Sequence, residues 1–200
     1  IDPVALVEEF GLDPVRYFLL REVPFGQDGD FARNALMHRL NGELADALGN
    51  LANRVLSLIQ RNCEGRLPAP VREEPFLAGF VAPLPEAVAA RVERLEFHTA
   101  LEEIFASVRE ANAFVTREAP WALKKTDPAR MEQVLRALHD ALRVFATLLQ
   151  PVMPDSMARL LDQLGVPAGA RDLAALAAPL PAGVALPPPA PLFQKIAIPA

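Results

Sequence analysis

The chain has 200 residues, 52% hydrophobic and 22% charged, with a net charge of −5. Its length and apolar fraction support one substantial core with room for a small attachment, and the negative charge argues against a protein that grips nucleic acid chiefly through phosphates, DNA included. No apolar run approaches the ~20 residues of a membrane span, no basic-then-apolar leader is expected, and the lone Cys63 excludes an internal disulfide or a multi-cysteine zinc site.

A reduced, cytoplasmic setting is therefore the default, with Cys63 as an inert helix-end residue. Only 6% of residues are aromatic, and the apolar ones are mostly Ala, Leu and Val, which favours helices packed through aliphatic side chains. Asp2-Pro3 reads as an N-cap with a first-turn proline, starting a helix that runs to Gly11. Asp13-Pro14 repeats the device ahead of VRYFLLRE. An opening at a helix cap leads us to expect a piece of something longer. In VPFGQDGDF, Gly26 and Gly29 bracket a shaped turn that lacks the lysine and spacing of a phosphate-binding loop.

A long helix is expected from Phe31 to Asn62. Leu40, Leu44, Ala47, Leu51, Val55, Leu58 and Asn62 recur at three- and four-residue steps along one face. Asn50, Arg54 and Arg61 fall on the flank of that stripe, where they form either a solvated edge or a row of polar tips held ready for a ligand. Gly42 and Gly49, each costing roughly 1 kcal/mol in a helix, mark a bend or a close contact. Residues 66–85 carry five prolines and read as a surface connection with one helical turn near Glu74–Gly79.

A second long helix is expected from Glu86 to Arg117, stopping before Ala119-Pro120-Trp121. Asp127-Pro128 caps a third, with Met131, Val134, Leu135, Leu138, Leu142, Phe145 and Leu149 as its stripe, and a fourth runs from Asp155 to Leu164. Residues from 166 onward are Ala/Pro-rich and read as an extended strap over the bundle, with LFQKIAI docking as a short extended segment. The expected architecture is all-α: an antiparallel bundle of four or five helices behind a helical module of some thirty residues.

No catalytic constellation and no metal site is expected. His38, His98 and His139 sit in different helices without ligand spacing, and the pairs Glu8-Glu9, Glu73-Glu74 and Glu102-Glu103 read as solvated faces. Trp121 differs, because it lies at a helix break beside Lys124 and Lys125. It either seals the end of the bundle or offers a flat face to an unstacked base, with lysines nearby for phosphate.

RYFLLREVPFGQDGDF, with Asp13-Pro14-Val15 before it, resembles the segment that follows the catalytic domain in methionyl-tRNA synthetases. Asp13-Pro14-Val15-Arg16 stands where that family has Asp-Ala-Leu-Arg, with Pro14 and Val15 as departures. The likeness continues through Asn41, Leu48-Gly49-Asn50-Leu51, Asn53-Arg54, Asn112 and Ala119-Pro120-Trp121, and fades near Leu192-Phe193. It implies a remnant of the stem-contact module at 1–30, an anticodon-binding bundle of the class I type at 31–165, and a C-terminal strap at 166–200.

It further implies recognition of the CAU anticodon of tRNA(Met), initiator tRNA included. Asn50, Arg54 and Trp121 match the family's anticodon contacts, with Pro120 beside them; Arg61, Lys124 and Lys125 are candidates for phosphate or secondary tRNA contacts. Ala113-Phe114 departs from the basic residue and tyrosine common in the family. The H-I-G-H and K-M-S-K-S signatures and the cysteine knuckle are absent, so ATP and Mg are implied for a full-length enzyme and not for this stretch. The alternatives are the equivalent domain of a leucyl, isoleucyl, valyl or cysteinyl enzyme, and a helical interaction module with no RNA partner.

Overall fold

The structure, a computed structural model, describes residues 2–29 and 31–197. Asp30 of the Phe25–Phe31 run and Ile198 of the LFQKIAI segment lie outside the described residues, as do Ile1, Pro199 and Ala200. Helices α1 (Pro3–Phe10) and α2 (Leu12–Glu22) form the N-terminal module. α3 (Arg33–Arg39) leads through a π-helical stretch, Leu40–Gly49, into α4 (Asn50–Asn62). After a π-helical turn at Leu77–Val81 come α5 (Leu84–Glu93), α6 (Phe97–Glu118), α7 (Pro120–Thr126), α8 (Pro128–Leu149) and α9 (Pro154–Gln163). The described residues contain no strand beyond a single antiparallel bridge between Arg66 and Ala185.

Two caps form as expected. The Asp2 carboxylate accepts from the Val4 amide at 2.9 Å and the Asp127 carboxylate from the Arg130 amide at 3.0 Å. Asp13 does not cap its own helix, because α2 starts one residue earlier, behind Gly11. Its buried carboxylate accepts instead from the Ser156 amide at 2.6 Å, near the start of α9. Arg16 completes the junction by donating to the Pro151 and Val152 carbonyls. The Asp-Pro pair thus joins two distant helices, which local spacing cannot reveal.

The turn at 23–29 needs its glycines for different reasons. Gly26 has a φ of +82°, open to glycine at no steric cost. Gly29 does not adopt a positive φ; a Cβ there would lie 2.2 Å from the Val23 side chain.

The expected helix at 31–62 is continuous but not uniformly α. Leu40, Leu44, Leu51 and Val55 of the expected stripe are buried, and the buried face widens to Leu48, Ala52, Leu56 and Ile59, while Ala47, Leu58 and Asn62 are only half-buried. Gly49 is a close-contact glycine, since a Cβ would meet the Leu44 carbonyl at 3.0 Å, whereas Gly42 faces open space. The expected helix at 86–117 is broken between α5 and α6, where Leu95 adopts a φ of +59° and the chain reverses.

The bundle closes around α8, which packs on α4, α6, α7 and α9. Fifteen of its 22 residues are buried, including the whole expected stripe. Burial also covers the opposite face, Arg136, His139, Arg143 and Thr147, because residues after 166 lie across it. Arg136 is 0% exposed; it pairs with Asp140 and donates to the Pro68 carbonyl at 2.7 Å and the Leu180 carbonyl at 2.8 Å. Arg143 donates to the Ala175 and Ala178 carbonyls, and His139 bonds the Leu164 carbonyl at 2.9 Å.

The acidic pairs are not all solvated. Glu74 is buried against Arg130, Glu102 pairs with Arg21 and Arg109, and Glu103 with Arg91. Cys63 caps α4, where burial and the nearby Glu132 push its thiol up to about 11. It is therefore protonated and unreactive near neutrality.

Arg136→Ala should lower the unfolding free energy by about 3 kcal/mol or more, read from urea denaturation, since it strands two buried carbonyls and Asp140 together. Iodoacetamide should alkylate Cys63 at pH 7.5 on the order of a hundredfold more slowly than an unhindered peptide cysteine. The rate should keep climbing with pH and level off only near 11.

Candidate nucleic-acid interface

The row Asn50, Arg54 and Arg61 lies along α4, with Asn50 and Arg61 exposed and Arg54 half-buried. Arg54 does not hang free. Its Nη2 donates to Asn112 Oδ1 at 3.3 Å, while Asn112 Nδ2 donates to the Ala47 and Val108 carbonyls, both at 3.0 Å. Those two donations fix which way the Asn112 carboxamide faces and so aim its oxygen at the guanidinium. One turn before Asn50, Asp46 Oδ1 accepts from Asn50 Nδ2 at 3.2 Å.

Sequence reasoning matched Asn112 to the family but gave it no role, and it gave none to Asp46. The four-residue step from Asp46 to Asn50 was legible as a helical pair; the partner of Asn112 lies 58 residues away.

Contacts link Glu43 through Arg21 to Glu102, and Ala47 and Arg54 to Asn112. Position rises together on the two elements, so the π-stretch with α4 and α6 share a direction.

The corner between α6 and α7 is strained by design of the sequence. Ala119 adopts a φ of +44° immediately before Pro120, where the ring of the proline already resists helical geometry. A left-handed alanine costs of order 1 kcal/mol or more, and it turns the chain so that Pro120 is buried at the first turn of α7. Trp121 beside it remains 49% exposed. The tryptophan therefore does not plug the bundle. Lys124 and Lys125 follow, exposed and, like Arg61, without a hydrogen bond or ion pair among the described residues.

Phe114, where the family commonly has tyrosine, is buried and stacks on Phe76 with ring centroids 4.5 Å apart. Arg117 lies over the Phe114 ring at 5.5 Å. The position serves packing and offers no hydroxyl.

No group of His, Cys, Asp and Glu among the described residues could hold a metal ion, and no helix is long and apolar enough to cross a membrane. What the surface offers is directional donors and acceptors, one flat indole face and unpaired cations, a set suited to splayed bases.

Residues 71–198 match the family described as the anticodon binding domain of methionyl tRNA ligase. The chain belongs to that family. Residues 1–56 match the class I tRNA synthetase family for methionine, so the methionyl description covers both ends of the chain. This agrees with the glycine turn in favouring the methionyl reading over a leucyl, isoleucyl, valyl or cysteinyl domain.

Among curated relatives, the methionine–tRNA ligase of Brucella suis is 48% identical over 98% of the chain, and that of Rhizobium meliloti 43% identical over 100%. The chain spans 39% and 40% of those proteins' lengths. The free-state methionyl-tRNA synthetase of Mycobacterium tuberculosis superimposes with a TM-score of 0.94 at 41% identity, over 100% of this chain and 42% of that one. The same organism's enzyme in complex with methionyl-adenylate gives 0.93, covering 98% and 40%. The all-helical anticodon-binding fold is therefore that of the methionyl-tRNA ligase family.

Trp121→Ala should lower stability by only about 1 kcal/mol in thermal or urea unfolding, far below the 3–5 kcal/mol lost with a fully buried tryptophan.

Proposed function

We propose that this chain is the anticodon-reading part of a methionine–tRNA ligase, recognising the CAU anticodon of tRNA(Met), the initiator included. The observation that carries the reading is the pairing of Asn50 and the Asn112-braced Arg54 on one flank of α4 with a half-exposed Trp121 at the α6–α7 corner, on a protein whose net charge is −5. A net-negative protein gains little from general phosphate attraction, so affinity must come from a few directional contacts and stacking. Asn50 and Arg54 read the edge of a splayed base, Trp121 supplies the stacking face held by Pro120, and Arg61, Lys124 and Lys125 meet phosphates.

On this reading residues 1–30 belong to the stem-contact module, 31–165 form the anticodon-binding bundle, and 166–200 strap it. Activation of methionine, with ATP and Mg, takes place on residues outside this chain, in the cytoplasm. The catalytic signatures are missing here, so tRNA use and methionine activation should separate cleanly in variants of this region.

Gel shift or filter binding with initiator tRNA, against a tRNA of unrelated anticodon, tests the reading directly. Equal affinity for the two would overturn it in favour of an interaction module. Trp121→Ala should cost about 1–3 kcal/mol of cognate binding. Arg54→Lys keeps the charge but loses the planar fork, and should narrow the gap between CAU and a single-base variant by about 1–3 kcal/mol, by analogy with base-edge contacts in DNA. Wild-type discrimination in Arg54→Lys would remove Arg54 as a base reader.

A further inference from the structure

The C-terminal segment returns to the site. Leu192 is buried and its carbonyl accepts from Arg159 at 3.3 Å. Phe193 lies by Gly49, where an added Cβ would come within 3.8 Å of its ring. Three residues further on, the Asn41 side chain pairs with the backbone of Ile196 in both senses. Asn41 Nδ2 donates to the Ile196 carbonyl and the Ile196 amide donates to Asn41 Oδ1, each at 2.8 Å. Between these anchors Lys195 Nζ lies 2.8 Å from Asp46 Oδ1, the same oxygen that accepts from Asn50 Nδ2.

An ionised carboxylate only accepts hydrogen bonds. Asp46 therefore holds the NH2 end of the Asn50 carboxamide toward itself and leaves Asn50 Oδ1, the acceptor, directed away toward a ligand. An asparagine is otherwise free to present either end, and the two ends select opposite base edges. With its oxygen outward, Asn50 favours a base carrying an exocyclic amine, cytosine or adenine, over one carrying a carbonyl at the same place, uracil or guanine. Lys195 pairs with the same Asp46 oxygen, and Asn41 and Phe193 hold the segment that carries Lys195.

We propose that Asp46 and Lys195 are positioning residues for anticodon discrimination: the C-terminal segment, through Lys195 and Asp46, sets the carboxamide of Asn50 to accept from an amino-edged base. The inference rests on the anticodon-reading function proposed above. It assigns to the segment after Leu192 a part in specificity, not only in packing.

The discriminating substrates change an amine for a carbonyl without changing base size, namely tRNA with UAU or CGU in place of CAU. Asp46→Asn keeps the shape but lets the new carboxamide face either way, so Asn50 is no longer held to one orientation. It should erode the preference for CAU over the more strongly rejected of the two variants by about tenfold, and Lys195→Ala by about threefold, by loss of one base-edge contact's orientation. Asp46→Asn combined with Asn50→Ala should discriminate no worse than Asn50→Ala alone.

Melting temperatures within a few degrees of wild type separate this from unfolding. The Asn50 side-chain amide resonances, which should shift in Lys195→Ala without any RNA present, report the hydrogen-bond chain itself. Undiminished discrimination in Asp46→Asn overturns the proposal while leaving the anticodon reading intact; failure of the wild-type protein to prefer CAU at all overturns both.

Discussion

The structure depends on one buried guanidinium. Arg136 sits in the middle of α8 with no exposure, and each of its three nitrogens donates: Nε to Asp140, one terminal nitrogen to Pro68, the other to Leu180. These acceptors come from its own helix, the 66–85 connection and the segment after 166. A buried charge is tolerable only when fully paired and hydrogen-bonded, so these segments must converge on one point. Arg143, about two helical turns further on, donates from its terminal nitrogens to Ala175 and Ala178. Together they turn a proline- and alanine-rich stretch with almost no helix of its own into a layer of the fold.

A second polar cluster fastens the N-terminal module to the bundle. The buried Tyr17 phenol donates to Glu43, which also accepts from Arg21 and Arg39, while Arg39 reaches Glu22 and Arg21 reaches Glu102. Burial, with the charge of Glu43, holds the Tyr17 phenol well above its usual range, so it remains a donor at any physiological pH. The cluster ties α2 to the π-helical stretch and to α6, the two elements that continue into Asn50 and toward Trp121.

The exposed side chains of the candidate interface gain their order from these buried constraints. Arg54 is braced by Asn112, Asn50 by Asp46, and Trp121 by the left-handed Ala119 before a buried Pro120. Ordering a long side chain before a ligand arrives removes part of the entropy cost of binding. On the proposed anticodon-reading function, this lets a protein of net negative charge hold RNA through few contacts.

The sequence by itself determined the helices and much of the family likeness. Apolar steps of three and four residues set the stripes of α4, α6, α8 and α9. The Asp-Pro pairs at 2–3 and 127–128 set two starts, and Ala119-Pro120 set a stop, because these signals act within one helical turn of the backbone. The same locality placed Asn50 and Arg54 on one flank and Trp121 at a corner. Tertiary structure decided everything that required a distant partner. It redirected Asp13 from its own helix to α9, and buried Arg136 and Arg143 under the strap, whose composition did not say which face it would cover. It widened the buried face of the long helix, broke the helix at 94–96, and brought Asn112 and Lys195 to residues 58 and 149 positions earlier in the chain. A side chain's hydrogen-bond partner is fixed by three-dimensional proximity, and spacing along the chain carries that information only over the few residues of a helical turn.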